Sequence, residues 1–122
     1  MTQEEMNALV EEGIRTSVEN VCGMMLGCEV AVGASRQIAH PMQETDGVVA
    51  LIGMAGPWIG TGALSCKPQL ACKLAGAMLM TEFEKVDEEV LDAVAELANM
   101  VIGNLKTVVE RSEEHTSELQ SL

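Results

Sequence analysis

The chain is poor in aromatic residues, in histidine and in positive charge. One Phe, one Trp and no Tyr occur among 122 residues, so it lacks the stacking platforms on which single-stranded nucleic acid is usually held. Seven Lys and Arg stand against nineteen Asp and Glu, a formal net charge of −12. Such a surface repels phosphate backbones and anionic lipid, and neither nucleic acid nor membrane is expected as a partner. A net charge of this sign also serves plain solubility. No apolar run approaches the ~20 residues of a membrane span. The N-terminal "MTQEEMNALVEEG" is acidic and has no apolar stretch like that of a signal peptide. A cytoplasmic location is therefore expected, where thiols stay reduced. Cys22, Cys28, Cys66 and Cys72 then read as small core hydrophobes. They are spaced twice as C-x5-C, without the C-x2-C pairing of a zinc site. Only His40 and His115 could join them, so no metal is expected in this chain.

What is present is 48% apolar, ample for the core of one small domain. Thr2-x-x-Glu5 has the form of a capping box. Met6, Val10, Ile14, Val18, Val21 and Met25 follow at helical spacing, predicting a first helix over 3–25 that ends before Gly27. "CEVAVG" (28–33) reads as a strand, and the polar stretch after it as a connection holding at most part of another. "GVVALIGMA" (47–55) and "WIGTGALS" (58–65) flank Gly56-Pro57 and predict a β-hairpin. Gly53, Gly60 and Gly62 inside these strands suggest that a helix packs closely over them. Pro68 suits the first turn of a second helix ending near Met80. Thr81-x-x-Glu84 and Asp87 offer start signals for a third, and Asp87, Glu88 and Glu89 place negative charge at its amino end.

The third helix carries the row that demands explanation. Val90, Val94, Leu97, Val101, Leu105 and Val108 fall on one side at 3.6 residues per turn. Asp92, Glu96 and Asn99 fall together on the opposite side, within roughly 60° of one another, and Gly103 continues the line. An ordinary solvated face would explain such a row. Two details stand against that: Asn is a poor helix former with no cap to make at position 99, and Ala95 and Ala98 flank the row with side chains small enough to admit a partner surface.

The pattern D-x3-E-x2-N in "DAVAELANMVIGN" (92–104) resembles the signature of the CheX/CheC/FliY class of chemotaxis phosphatases. Asp92, Glu96, Asn99, Gly103 and Asn104 carry the match. The glycine-rich hairpin "GVVALIGMAGPWIGTGALS" and the Ala- and Met-rich helix after it also look like CheX. One motif, rather than two, is closer to CheX than to the duplicated CheC arrangement. The resemblance covers about residues 5–110.

The resemblance implies an α+β fold, with helices packed on a mostly antiparallel sheet. It implies hydrolysis of the aspartyl phosphate of a CheY-like response regulator, with no cofactor in this chain because the regulator carries the Mg²⁺. By the same analogy Asn99 holds the attacking water in line and Glu96 pairs with a lysine of the regulator. Asp92 is a partner contact or a helix-start aid. The role of Asn104, off the Asp92 line, is open. A non-catalytic module that docks on a receiver domain, a non-functional gene fragment and a cysteine-based metal or redox protein are the alternatives.

The tail "RSEEHTSELQSL" (111–122) fits nothing before it. It shows neither helical nor strand periodicity and resembles translated sequencing-adapter sequence, so the native domain is read as 1–110, interrupted there. Relatives of this kind continue with further strands, and their longer signature has a proline where Leu122 stands. The sheet is accordingly expected to lack its C-terminal strands, and the homodimer of the full-length form, which involves the sheet, is placed in doubt.

Overall fold

The computed structural model describes residues 2–39, 47–55 and 59–121, the stretch 112–121 through its backbone alone. Thr2 opens the first helix: its hydroxyl accepts the N–H of Glu5 at 3.1 Å, satisfying one of the donors a helix start leaves open. Helix α1 spans Gln3–Val21 and then widens into a π-helical turn over Cys22–Leu26. Gly27, at φ 62°, ends it, a left-handed position that glycine adopts without steric cost. The helix therefore reaches as far as its apolar repeat, with the last turn wound wider than expected.

The strand expected at 28–33 does not form. Residues 27–38 follow an irregular path. A short β-prone run becomes a strand only where a neighbour supplies ladder hydrogen bonds, and the sheet of the described residues contains only the hairpin. The described part of the connection after it, 34–39, holds no strand either, and 40–46 lies outside the described residues.

The hairpin forms as expected. Strands β1 (Val48–Met54) and β2 (Gly60–Cys66) pair antiparallel, with Val48 opposite Cys66 and Met54 opposite Gly60. The Gly56-Pro57 turn lies outside the described residues. Side chains alternate: Val48, Ala50, Ile52 and Leu64 point toward the helices, while Val49, Leu51, Thr61 and Ala63 face away. Of the three strand glycines, only Gly62 meets the close approach anticipated. It lies against Ile102, whereas Gly60 touches only the tip of Met54 and Gly53 faces open space.

Helix α2 (Pro68–Leu79) begins with Pro68 in its first turn and ends at Met80, which is left-handed at φ 54°. The N–H of Thr81 returns to the Gly76 carbonyl at 3.2 Å, so Thr81 closes this helix rather than starting another. Helix α3 runs Glu88–Ser121, 34 residues and about 51 Å long at 1.5 Å per residue. Its start is the one the sequence marks: the Asp87 carboxylate accepts the Val90 N–H at 2.9 Å. The helical backbone continues through 112–121, where the sequence predicted no regular element. Propagating an established helix costs far less than nucleating one, and Glu113, Glu114, Glu118, Leu119 and Gln120 are good helix formers.

Helix α3 is the spine of the domain, packed against α1, α2 and the hairpin. Val90, Ala93 and Val94 pack with Ala71, Cys72 and Ala75 of α2 and Val48 of β1. One to two turns on, Leu97 and Val101 pack with Val21 of α1. Further along, Gly13 of α1 lies against Leu105, which lets the two helices approach closely. The result is an α+β domain of three helices on a two-stranded antiparallel sheet, among the described residues.

Candidate functional site: the exposed row of helix α3

Burial along α3 divides the helix into two faces. Val90, Val94 and Val109 are fully covered, and Leu97, Val101 and Leu105 are nearly so. Asp92, Ala95, Glu96, Asn99, Gly103 and Thr107 are exposed. The structure thus brings Asp92, Glu96 and Asn99 together on one solvent-facing row, as expected from the helical period. Glu96 and Asn99 are separated by about 4.5 Å along the axis, and Asp92 and Asn99 by about 10.5 Å.

The row is held from beneath. Leu97, between Glu96 and Asn99 in sequence, is 4% exposed and anchored against Val21. Ala93 and Val94 fix the turn below Asp92 in the same way. A helix pinned on both sides of its polar residues presents them from rigid backbone, which is what a positioning site requires. Among the described residues, the side chains of Asp92, Glu96 and Asn99 have no hydrogen-bond or ion-pair partner. Their donors and acceptors therefore face solvent, open to a second molecule. Asp92 does not cap the helix; Asp87 does. The helix-start role considered for Asp92 is therefore filled by another residue.

Two expectations need correcting. Ala98 does not flank the row: it is 1% exposed and belongs to the core, while Ala95 is exposed beside Glu96. Small size does not reveal which face a residue occupies, but position 98 lies about 100° from Asn99 around the axis, toward the buried side. The cysteines are not uniformly core residues either. Cys72 is buried, Cys22 and Cys66 are half-buried and Cys28 is exposed. Asn104 is exposed but off the row, as its angle implies. Among the described residues, no three His, Cys, Asp or Glu side chains converge as a metal site, and no helix is long and apolar enough to cross a membrane.

The hairpin, α2 and the exposed row all fall within one family match. Residues 48–120, more than half of the chain, match the model described as chemotaxis phosphatase CheX. The chain belongs to the CheX family. It is also similar to the CheY-P phosphatase CheX of Thermotoga maritima, with 29% identity over 111 residues, 90% of this chain and 71% of that protein. The family match begins at the first residue of β1, so α1 precedes the matched segment. In this CheX-family chain, the matched hairpin and α2 pack under the Asp92 end of the row, while α1, which precedes the match, supports the stretch around Leu97.

Proposed function

We propose that this chain is a phosphatase for the aspartyl phosphate of a CheY-like response regulator. The observation that carries the reading is the row itself: a carboxylate, a second carboxylate and a carboxamide, exposed and unpaired on a helix whose other face is locked in the core. Membership of a phosphatase family supplies the reaction class.

In the proposed mechanism, α3 docks against the regulator's phosphorylation site. The Asn99 carboxamide oxygen accepts a hydrogen bond from a water, and its NH₂ can donate to a phosphoryl oxygen. That arrangement places the water in line with the P–O bond to the aspartyl carboxylate. Attack forms a new P–O bond from the water oxygen and breaks the bond to aspartate, releasing inorganic phosphate and a free carboxylate. Little covalent help is needed from the phosphatase, because phosphoryl transfer is governed by positioning and charge stabilisation. The Mg²⁺ that offsets phosphoryl charge belongs to the regulator. Glu96, one turn before Asn99, pairs with a lysine of the regulator and fixes the register of docking. Asp92, one turn earlier again, extends the negative edge toward the same basic surface. The regulator is a soluble signalling domain, and the proposal places both proteins in the cytoplasm.

The test is the decay of a phosphorylated receiver with this chain and with its Asn99→Ala variant, beside a binding measurement on each. Faster decay with the parent chain, and decay at the spontaneous rate with a variant that still binds, is the expected result. A folded parent chain that binds the receiver and leaves its decay unchanged would make the domain a docking module instead.

A further inference from the structure

The end of α1 brings two thiols together. The N–H of Cys28 donates to the Cys22 carbonyl at 3.3 Å, across the π-helical turn and Gly27. The Cys28 thiol itself approaches the same carbonyl at 3.9 Å. Burial, with Cys28 beside it, pushes the Cys22 thiol above its ordinary range. The backbone bond sets this closeness, so it is a property of how the helix ends. Cys28 is exposed and Cys22 is half-buried behind it. Cys66 and Cys72 share the same sequence spacing but sit differently. Cys72 is buried, and Cys66 packs against the same core cluster, so a bulky reagent has no open thiol to meet there.

We infer that Cys22 and Cys28 are a reversible dithiol–disulfide pair, a modification site that reacts with low-molecular-weight disulfides such as oxidised glutathione. The Cys28 thiolate attacks one sulfur of the glutathione disulfide, forming a protein–glutathione mixed disulfide and expelling one glutathione thiolate. The Cys22 thiol, once deprotonated, attacks the Cys28 sulfur and expels the second. Two protein thiols are oxidised to one disulfide and one glutathione disulfide is reduced to two thiols. The order follows from access: the exposed sulfur meets the reagent, and the shielded one resolves it. The bond would staple the end of α1 where Val21 and Leu26 pack on Leu97 and Val101 of α3, directly beneath the exposed row. This inference rests on the α1 terminus and is independent of the phosphatase reading.

The experiment equilibrates the full chain with graded ratios of oxidised to reduced glutathione, blocks remaining thiols by alkylation and maps the tryptic peptides by mass. Residues 16–36 contain both cysteines and no internal cleavage site, so an internal disulfide appears as an unalkylated fragment lighter by two hydrogens. Half-oxidation is expected at a ratio about tenfold lower in the folded chain than in denaturing urea. Cys22→Ser should leave one glutathione on Cys28, and Cys28→Ser should leave Cys22 unmodified. Coincident curves with and without urea, a stable glutathione adduct on Cys28 of the parent chain, or earlier pairing of Cys66 with Cys72 would each overturn the inference.

Discussion

Ile102 of α3 rests directly on Gly62 of β2, leaving no space for a side chain at that strand position. The contact sets the depth at which α3 lies on the hairpin, three residues beyond Asn99. Adding a methyl group here overpacks the interface, which typically costs about 1–3 kcal/mol. Gly62→Ala should therefore lower stability by that amount in urea unfolding, while Gly53→Ala, facing open space, should change it by less than about 0.5 kcal/mol. Shortening the opposing side chain with Ile102→Ala should recover part of the Gly62→Ala loss in a double-mutant cycle. Additive losses in the cycle would mean that the two residues do not define this contact.

Asn99 and Glu96 should fail in different ways if one positions water and the other docks. Asn99→Ala should slow receiver dephosphorylation about 100-fold or more, the loss expected when one preorganised polar group is removed from a reacting centre, with receiver affinity little changed. Glu96→Ala should weaken receiver binding about tenfold and leave the rate at saturating chain closer to that of the parent. Steady-state assays against receiver concentration separate the two. Equal effects on binding and on maximal rate from both variants would contradict the division of roles.

Asp92 and Glu96 are exposed, so if they dock the receiver as proposed, that docking should be sensitive to salt. Interactions between exposed charges are screened over about 10 Å at 0.1 M salt. The association rate with the receiver should fall as salt is raised, and Asp92→Asn should flatten that dependence without changing the rate of hydrolysis in the bound complex. Stopped-flow association at several salt concentrations measures the slope. A slope unchanged by Asp92→Asn would remove that residue from the docking surface.

Helix α3 was legible in the sequence because its apolar residues keep one period from Val90 to Val108 and Asp87 marks its start. The polar row could be placed for the same reason: a helical period fixes both faces at once. The hairpin was equally plain, since Gly56-Pro57 separates two alternating runs. What escaped was set by partners distant in sequence. Residues 28–33 have strand-like composition but no neighbouring strand among the described residues, and propensity alone cannot supply one. Only Gly62 of the three strand glycines carries a close contact, because only there does Ile102 arrive. Ala98 is the exception: the same period turns it about 100° from Asn99 toward the buried side, where it is 1% exposed, and its small size alone had suggested a place beside the row. Nothing local marks Met80 as left-handed; Gly76, four residues earlier, is the more obvious breaker.

Met80 is a methionine in a position that favours glycine. It lies at φ 54° at the end of α2 and is 93% exposed, so its side chain gains little packing in return for the strained backbone. The left-handed conformation costs a residue with a β-carbon roughly 1 kcal/mol. Met80→Gly should therefore raise stability by a few tenths to about 1 kcal/mol, the gain reduced by the greater freedom of glycine in the unfolded chain. Thermal and urea unfolding should agree in sign. A loss of stability would mean that Met80 contributes packing that its exposure conceals.

The half-buried thiols give the fold an alkaline limit. Burial raises the pKa of Cys66, and burial with the neighbouring Cys28 raises that of Cys22, both from an ordinary value of 9.0. A raised thiol pKa means that the folded state holds its protons to higher pH than the unfolded state does. Above 9.0 the unfolded chain has released protons that the folded chain still binds, so stability must fall as pH rises. The contribution is whole below the unfolded value and is lost as pH passes through the folded one. Urea unfolding under reducing conditions between neutral pH and pH ~10 should show the decline, and Cys22→Ala with Cys66→Ala should flatten it. Reducing conditions matter because a Cys22–Cys28 disulfide would remove one of the two titrating thiols. A slope unaltered in the double variant would place the alkaline sensitivity in the lysines or elsewhere, and would show that these thiols are as well solvated in the folded chain as in the unfolded one.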